Sequence, residues 1–168
     1  KKQQQCFVMI LNIVKVFDCD VEEPNSHIYL KPDDISTEEI FTMVPEIEKD
    51  KCTACGECQN ICRFSAIALI AGKIMTFPDM CHSCRGCLMV CPENAVIESS
   101  RLLGTIKSGD ASKTVTQINS IIEKKNIELI WGELRVGEAM SPPLIKAVKK
   151  RIDPSLLSIV DAPPGTSC

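Results

Sequence analysis

Two runs of four cysteines constrain this chain more than anything else in its sequence. They read Cys52-x2-Cys55-x2-Cys58-x3-Cys62 and Cys81-x2-Cys84-x2-Cys87-x3-Cys91-Pro92. Thiolates this close together, arranged twice, are what a pair of four-iron clusters requires. In such runs the first three cysteines hold one cluster and the fourth ligates the other. The expected ligand sets are Cys52, Cys55, Cys58 and Cys91 for one [4Fe–4S] cluster, and Cys81, Cys84, Cys87 and Cys62 for the second. Crossed ligation ties the runs together, so neither half is expected to fold well alone.

The runs form an internal repeat offset by 29 residues, in which Lys51–Ala68 aligns with Met80–Ile97 without a gap. Gly56 and Gly86 lie inside the runs, where the backbone must pass close to a cluster and glycine gives the torsional freedom to do so. Between the runs, Ala66–Leu69 and Lys73–Phe77 flank Ala71-Gly72, which reads as a β-hairpin. Residues from about 48 to 99 resemble a bacterial-type dicluster ferredoxin. Arg63 follows Cys62 where the usual motif has proline. That change is expected to alter loop stiffness or potential, since the proline is not a ligand.

Zinc and disulfides are the rival uses of these thiols. Zinc sites usually take two well-separated cysteine pairs, and nothing in a single zinc site requires a third cysteine two residues on. A disulfide framework belongs to secreted chains, and no secretory leader is visible. The longest apolar run at the start, Cys6–Leu11, is too short for one. No apolar stretch approaches the roughly 18 residues of a membrane span. The net charge of −3 gives no reason to expect nucleic acid as a partner. These features point to a cytoplasmic protein whose core rests on aliphatic residues and the clusters, because aromatics are few.

The flanks carry a different signal. Upstream, the apolar stretch Asn12–Phe17 runs into Asp18-Cys19-Asp20-Val21-Glu22-Glu23-Pro24-Asn25, and downstream Leu156–Val160 runs into Asp161-Ala162-Pro163-Pro164-Gly165-Thr166. Strands that end in carboxylates put them at the carboxyl edge of a sheet, where open α/β sheets bind ligands. With Gly137-Glu138-Ala139-Met140-Ser141-Pro142-Pro143-Leu144-Ile145 between them, these motifs resemble the MinD/Mrp-type P-loop ATPases that carry an inserted ferredoxin domain. The resemblance implies an α/β fold, a partial P-loop (MinD/ParA-like) parallel sheet interrupted by an α+β ferredoxin insert. The implied domains are 1–47 (nucleotide-binding, switch I strand), 48–99 (dicluster ferredoxin) and 100–168 (α/β domain up to Walker B and switch II). It further implies that Asp20 in switch I positions the attacking water, that Asp161 is the Walker B residue supporting Mg²⁺, and that Gly165 turns its N–H toward the γ-phosphate of ATP.

No glycine-rich phosphate loop precedes Asp18 in this sequence. The backbone N–H groups and Lys of that loop cradle the phosphates, so the chain is expected to be a fragment that does not hydrolyse ATP alone. Thr114-x-x-Gln117 reads as a capping box opening a helix with Val115, Ile118, Ile121 and Ile122 on one face, ending at Asn126. Ile127–Trp131 reads as a short buried strand. Ser141 and Pro142 start a helix whose apolar face is Leu144, Ile145, Val148 and Ile152 and whose solvated face is Lys146, Lys149, Lys150 and Arg151. Cys19 and Trp131 read as core, His82 as a loop residue, and His27 shows no partner. Cys6 and Cys168 lie near the termini with no assigned role.

Three functions compete: an iron–sulfur electron-transfer module coupled to nucleotide state, a stand-alone ferredoxin-like carrier, and a cluster scaffold. Complete ligation by eight cysteines favours stably held clusters and so the first two. The implied partners are redox proteins, with a homodimer suggested by the family resemblance.

Overall fold

The computed structural model describes residues 13–114 and 126–162. The expected helix after Thr114, Gly165, Cys6 and Cys168 therefore lie outside the described residues. The chain divides into two compact units. One comprises Lys1–Ile40, Leu103–Val136 and Ser141–Cys168, and the other Phe41–Leu102 with Gly137–Met140.

The first unit is built on a five-stranded sheet. Strand β1 (Ile13–Asp18), helix α1 (Ser26–Leu30) and strand β2 (Asp33–Ile47) come before the cysteine runs, and β5 (Val96–Asp110), β6 (Asn126–Leu134), α4 (Pro142–Lys149) and β7 (Leu157–Asp161) after them. The strand order is β2-β5-β6-β1-β7. β1 is flanked by two parallel neighbours, with Asp18 opposite Trp131 of β6 and Asp161 of β7. Alternation along β1 sorts its side chains. Phe17, at 0% exposure, faces a core with Leu103, Ile106, Ile130 and the α4 residues Leu144, Ile145 and Val148. Val14 packs on the other face with Ile127, Leu129 and Trp131. The expected apolar face of α4 is thus the buried one, and Ile152 packs at its margin.

Three expectations about this unit need correction. The sheet is mixed, because only β6, β1 and β7 run parallel while β5 pairs antiparallel with β6 from Gly104 opposite Leu134 to Asp110 opposite Glu128. Ser141 occupies the N-cap of α4 without a side-chain capping bond; its carbonyl accepts the N–H groups of Leu144 and Ile145 instead. Arg151 is not simply solvated, since its guanidinium bonds the Ala147 carbonyl at 2.7 Å and pairs with Glu38 at 2.5 Å.

In the second unit, α2 (Glu57–Ile61), the hairpin β3 (Ile67–Ile70) and β4 (Lys73–Thr76), a 3₁₀ turn at Pro78–Met80 and α3 (Gly86–Val90) follow in order. The hairpin pairs Ile67 with Thr76 and Ile70 with Lys73. Its two-residue loop, Ala71 at φ 49° and Gly72 at φ 74°, has the positive φ at both positions that a tight type I′ connection needs. The repeat is written into the backbone as well. Ala54 and Ser83, Gly56 and Arg85, and Ser65 and Asn94 all have positive φ, and each pair is 29 residues apart. The pairing corrects the reading of Gly86, because the left-handed partner of Gly56 is Arg85 and not that glycine. Gly137–Met140 is joined to β5 through a bidentate ion pair from Arg101 to Glu138, whose side chain is fully buried.

Candidate metal centre

Each cysteine run begins in a loop and ends at a helix C-terminus. In the first, Cys52 and Cys55 precede α2, Cys58 lies in it and Cys62 caps it; in the second, Cys81 and Cys84 precede α3, Cys87 lies in it and Cys91 caps it. Helical spacing turns the capping cysteine away from the loop before the helix. The consequence is visible in two hollows. One is lined by Cys52, Cys55, Cys58 and Cys91 together with Thr53, Gly56, Ile74, Glu93 and Val96. The other is lined by Cys62, Cys81, Cys84 and Cys87 together with Met43, Ile61, Phe64, His82 and Arg85. Each hollow therefore takes three thiols from one run and the last thiol of the other.

The surroundings suit an iron–sulfur group. Cys58, Cys81 and Cys87 are buried while Cys55 and Cys84 are exposed, and the buried ones share cores with Ile67, Val96, Val44 and Ala66. Backbone donors reach sulfur in both hollows, from Ser83 N–H to Cys81 Sγ at 3.4 Å and from Ala95 N–H to Cys91 Sγ at 3.2 Å. Burial pushes the Cys87 thiol up to about 11, with the neighbouring Cys81 adding to it, and burial likewise raises Cys58. Such thiols keep their protons until a metal displaces them. None of the nine described cysteines is in a disulfide. A zinc ion with bonds of about 2.3 Å would gather its sulfurs to within roughly 4 Å of one another. Among the described residues, no three His, Cys, Asp or Glu side chains converge on one such ion position. Four thiols lining one hollow are a donor set that fits an iron–sulfur group.

Residues 45–68, which include the whole first cysteine run, match the family described as the 4Fe-4S binding domain. The chain carries an iron–sulfur, ferredoxin-like domain. Such a domain is an electron-transfer module. Over most of its length the chain is also similar to two uncharacterized proteins of Methanocaldococcus jannaschii. One is 33% identical over 160 residues, 94% of this chain and 51% of the relative. The other is 28% identical over 158 residues, 91% of this chain and 51% of the relative. The chain thus spans about half the length of the curated relatives it matches. No helix among the described residues is long and apolar enough to cross a membrane.

The expected nucleotide-side residues fall at the carboxyl ends of the parallel strands. Asp161 ends β7 directly beside Asp18 of β1, its carbonyl accepts the Cys19 N–H at 2.8 Å, and its carboxylate lies 3.4 Å from the Ser26 hydroxyl. Asp20 is partly buried two residues past the strand. Burial raises its carboxyl, against a backbone hydrogen bond from Glu23, and the charges of Asp18, Glu22 and Glu23 raise it further. The fully buried carboxylate is Asp18, which accepts N–H bonds from Asp20, Asn25 and Ser26. Sequence reasoning passed over Asp18 in favour of Asp20. His27, read as partnerless, stacks on the buried Trp131 with ring centres 5.5 Å apart. His82 is exposed, as expected, and stacks on Phe64 at 3.7 Å.

Proposed function

We propose that the iron–sulfur domain holds two [4Fe–4S] clusters with crossed ligands and passes single electrons between partner proteins. The observation that carries this reading is the exchange of capping cysteines, with Cys91 lining the hollow of the first run and Cys62 that of the second. When bound, each cluster supplies a one-electron couple. The chain's own residues do the rest. Eight thiolates fix the irons, backbone N–H groups from Ser83 and Ala95 bond to ligand sulfur, and Ile67, Ile74 and Val96 limit water around the buried thiols. Hydrogen bonds to sulfur and restricted solvent both tune the potential of such a group.

A wider reading follows from the neighbouring carboxylates. We propose that the complete protein is a MinD/Mrp-type nucleotide-binding protein in which ATP and Mg²⁺ lie near Asp20 and Asp161, and in which nucleotide state governs electron or cluster transfer. What favours it is the pairing of Asp18 with Asp161 on adjacent parallel strands, at the sheet edge where α/β folds bind ligands.

Anaerobic reconstitution with iron and sulfide counting tests the crossed ligation. The intact chain is expected to hold about eight irons and eight sulfides, as two four-iron clusters require. Cys91→Ser is expected to lose the cluster of the first run, leaving about four irons and an EPR spectrum without the broadening of two interacting clusters. Cys62→Ser is expected to do the same for the second run. Zinc bound without sulfide would sink the proposal.

A further inference from the structure

The two hollows follow the same backbone path but are not chemically equivalent. At repeat-related positions, Glu93 lies against the first hollow where Phe64 lies against the second, and Thr53 occupies the place of His82. The second hollow is also lined by Arg85, whose left-handed φ of 63° stands where the first has Gly56. Arg63 follows Cys62, whereas Pro92 follows Cys91. Backbone donors reach ligand sulfur in both hollows, Ala95 N–H on Cys91 in the first and Ser83 N–H on Cys81 in the second. The difference between the hollows is therefore one of charge and cover.

From this asymmetry we infer a built-in redox polarity: the cluster held by Cys62, Cys81, Cys84 and Cys87 has the higher reduction potential and takes the first electron. The inference rests on the two-cluster reading above. Reduction adds one negative charge to a cluster that four thiolates already make anionic. A guanidinium at the rim favours that charge and a carboxylate opposes it. Arg85 pairs with Glu98 at 3.2 Å, and of the two only Arg85 lines the hollow. Among the described residues Glu93 has no cationic partner. One effect opposes this order. The Phe64–His82 stack shields the second hollow from water, and exclusion of water disfavours the more charged, reduced state. That cover is incomplete, because Phe64 is itself 36% exposed. Arg85 and Glu93 are also exposed, so solvent weakens each charge, and the order rests on the two charge differences acting in the same direction.

The test is a mediated, EPR-monitored redox titration of the fully loaded protein with dithionite as electron donor, each cluster taking one electron and no proton. Two one-electron steps are expected. At the midpoint of the lower step the other cluster should be at least tenfold more reduced than oxidised, a separation of about 59 mV or more. Glu93→Gln should raise the lower step alone. Arg85→Asn, which keeps a residue tolerant of left-handed φ, should lower the upper step alone. Coincident steps, or a Glu93→Gln shift confined to the upper step, would overturn the polarity. An iron count near four per chain would instead overturn the two-cluster reading, and the polarity with it.

Discussion

Asp18 ends β1 with its carboxylate wholly buried and three backbone N–H groups on it, from Asp20 at 3.0 Å, Asn25 at 3.1 Å and Ser26 at 3.0 Å. One side chain thereby shapes the whole turn from the strand to α1, which brings Ser26 to Asp161. Hydrogen bonds to an ionised acceptor are worth about 1.5–3 kcal/mol each, and a buried donor left without one costs a similar amount. Asp18→Asn replaces one acceptor oxygen with a donor that must face an N–H. It is expected to destabilise the chain by about 2–3 kcal/mol, measured by chemical denaturation of the iron-loaded protein. Asp20→Asn, at a partly exposed site, is expected to change stability by much less. At this scale the first cysteine run was legible, because its spacing is itself the chemistry that residues 45–68 share with the 4Fe-4S binding domain. The choice between Asp18 and Asp20 was not, since which aspartate a turn buries depends on N–H groups seven and eight residues away. The Asp-x-Asp stretch followed by Asn25-Ser26 is the one local hint that an aspartate there would organise a turn.

Two strands escaped the sequence altogether, the 15-residue β2 and β5. The first seven residues of β2 are all exposed, so they show no alternation of apolar and polar residues from which a strand could be read. β2 stands at the sheet edge, where strands are commonly polar. In β5, Arg101, Gly104, Lys107 and Gly109 interrupt the apolar positions. The β3–β4 hairpin was legible because the Ala71-Gly72 turn and its short flanking runs are local. Gly104 shows what holds β5 against β6. A Cβ there would lie 2.3 Å from the Glu133 carbonyl oxygen and 2.9 Å from Leu144. The clash is with backbone in a register fixed over seven paired positions, so it cannot be relieved by a side-chain rotation. Gly104→Ala is expected to cost about 3 kcal/mol, at the upper end for overpacking, read as a lowered denaturation midpoint. Gly137→Ala, in open space at φ 82°, should cost only about 1 kcal/mol through backbone strain.

The two units are held together internally by different means. The first has large buried side chains of its own, among them Trp131, Phe17, Leu129 and Leu144. The buried clusters of the second are small and include Cys58, Cys81 and Cys87, the same thiols that line the hollows. A core made partly of ligands depends on its metal, and the free energy of metal binding becomes folding free energy. Anaerobic removal of iron by chelation is therefore expected to divide the molecule. Amide hydrogen exchange should lose protection across residues 41–102, while β1 and β6 keep theirs. Uniform loss across both units would show that the sheet depends on the clusters too. β2 and β5 run beyond the cysteine runs, and the second unit takes in Phe41–Leu102. On the crossed ligation proposed above, the exchange of capping cysteines also sets a timetable for synthesis. The second hollow has all four of its thiols once Cys87 has been made, whereas the first waits for Cys91. The run that is translated earlier is thus the later one to be completed, and neither can be filled while the ribosome is still between them.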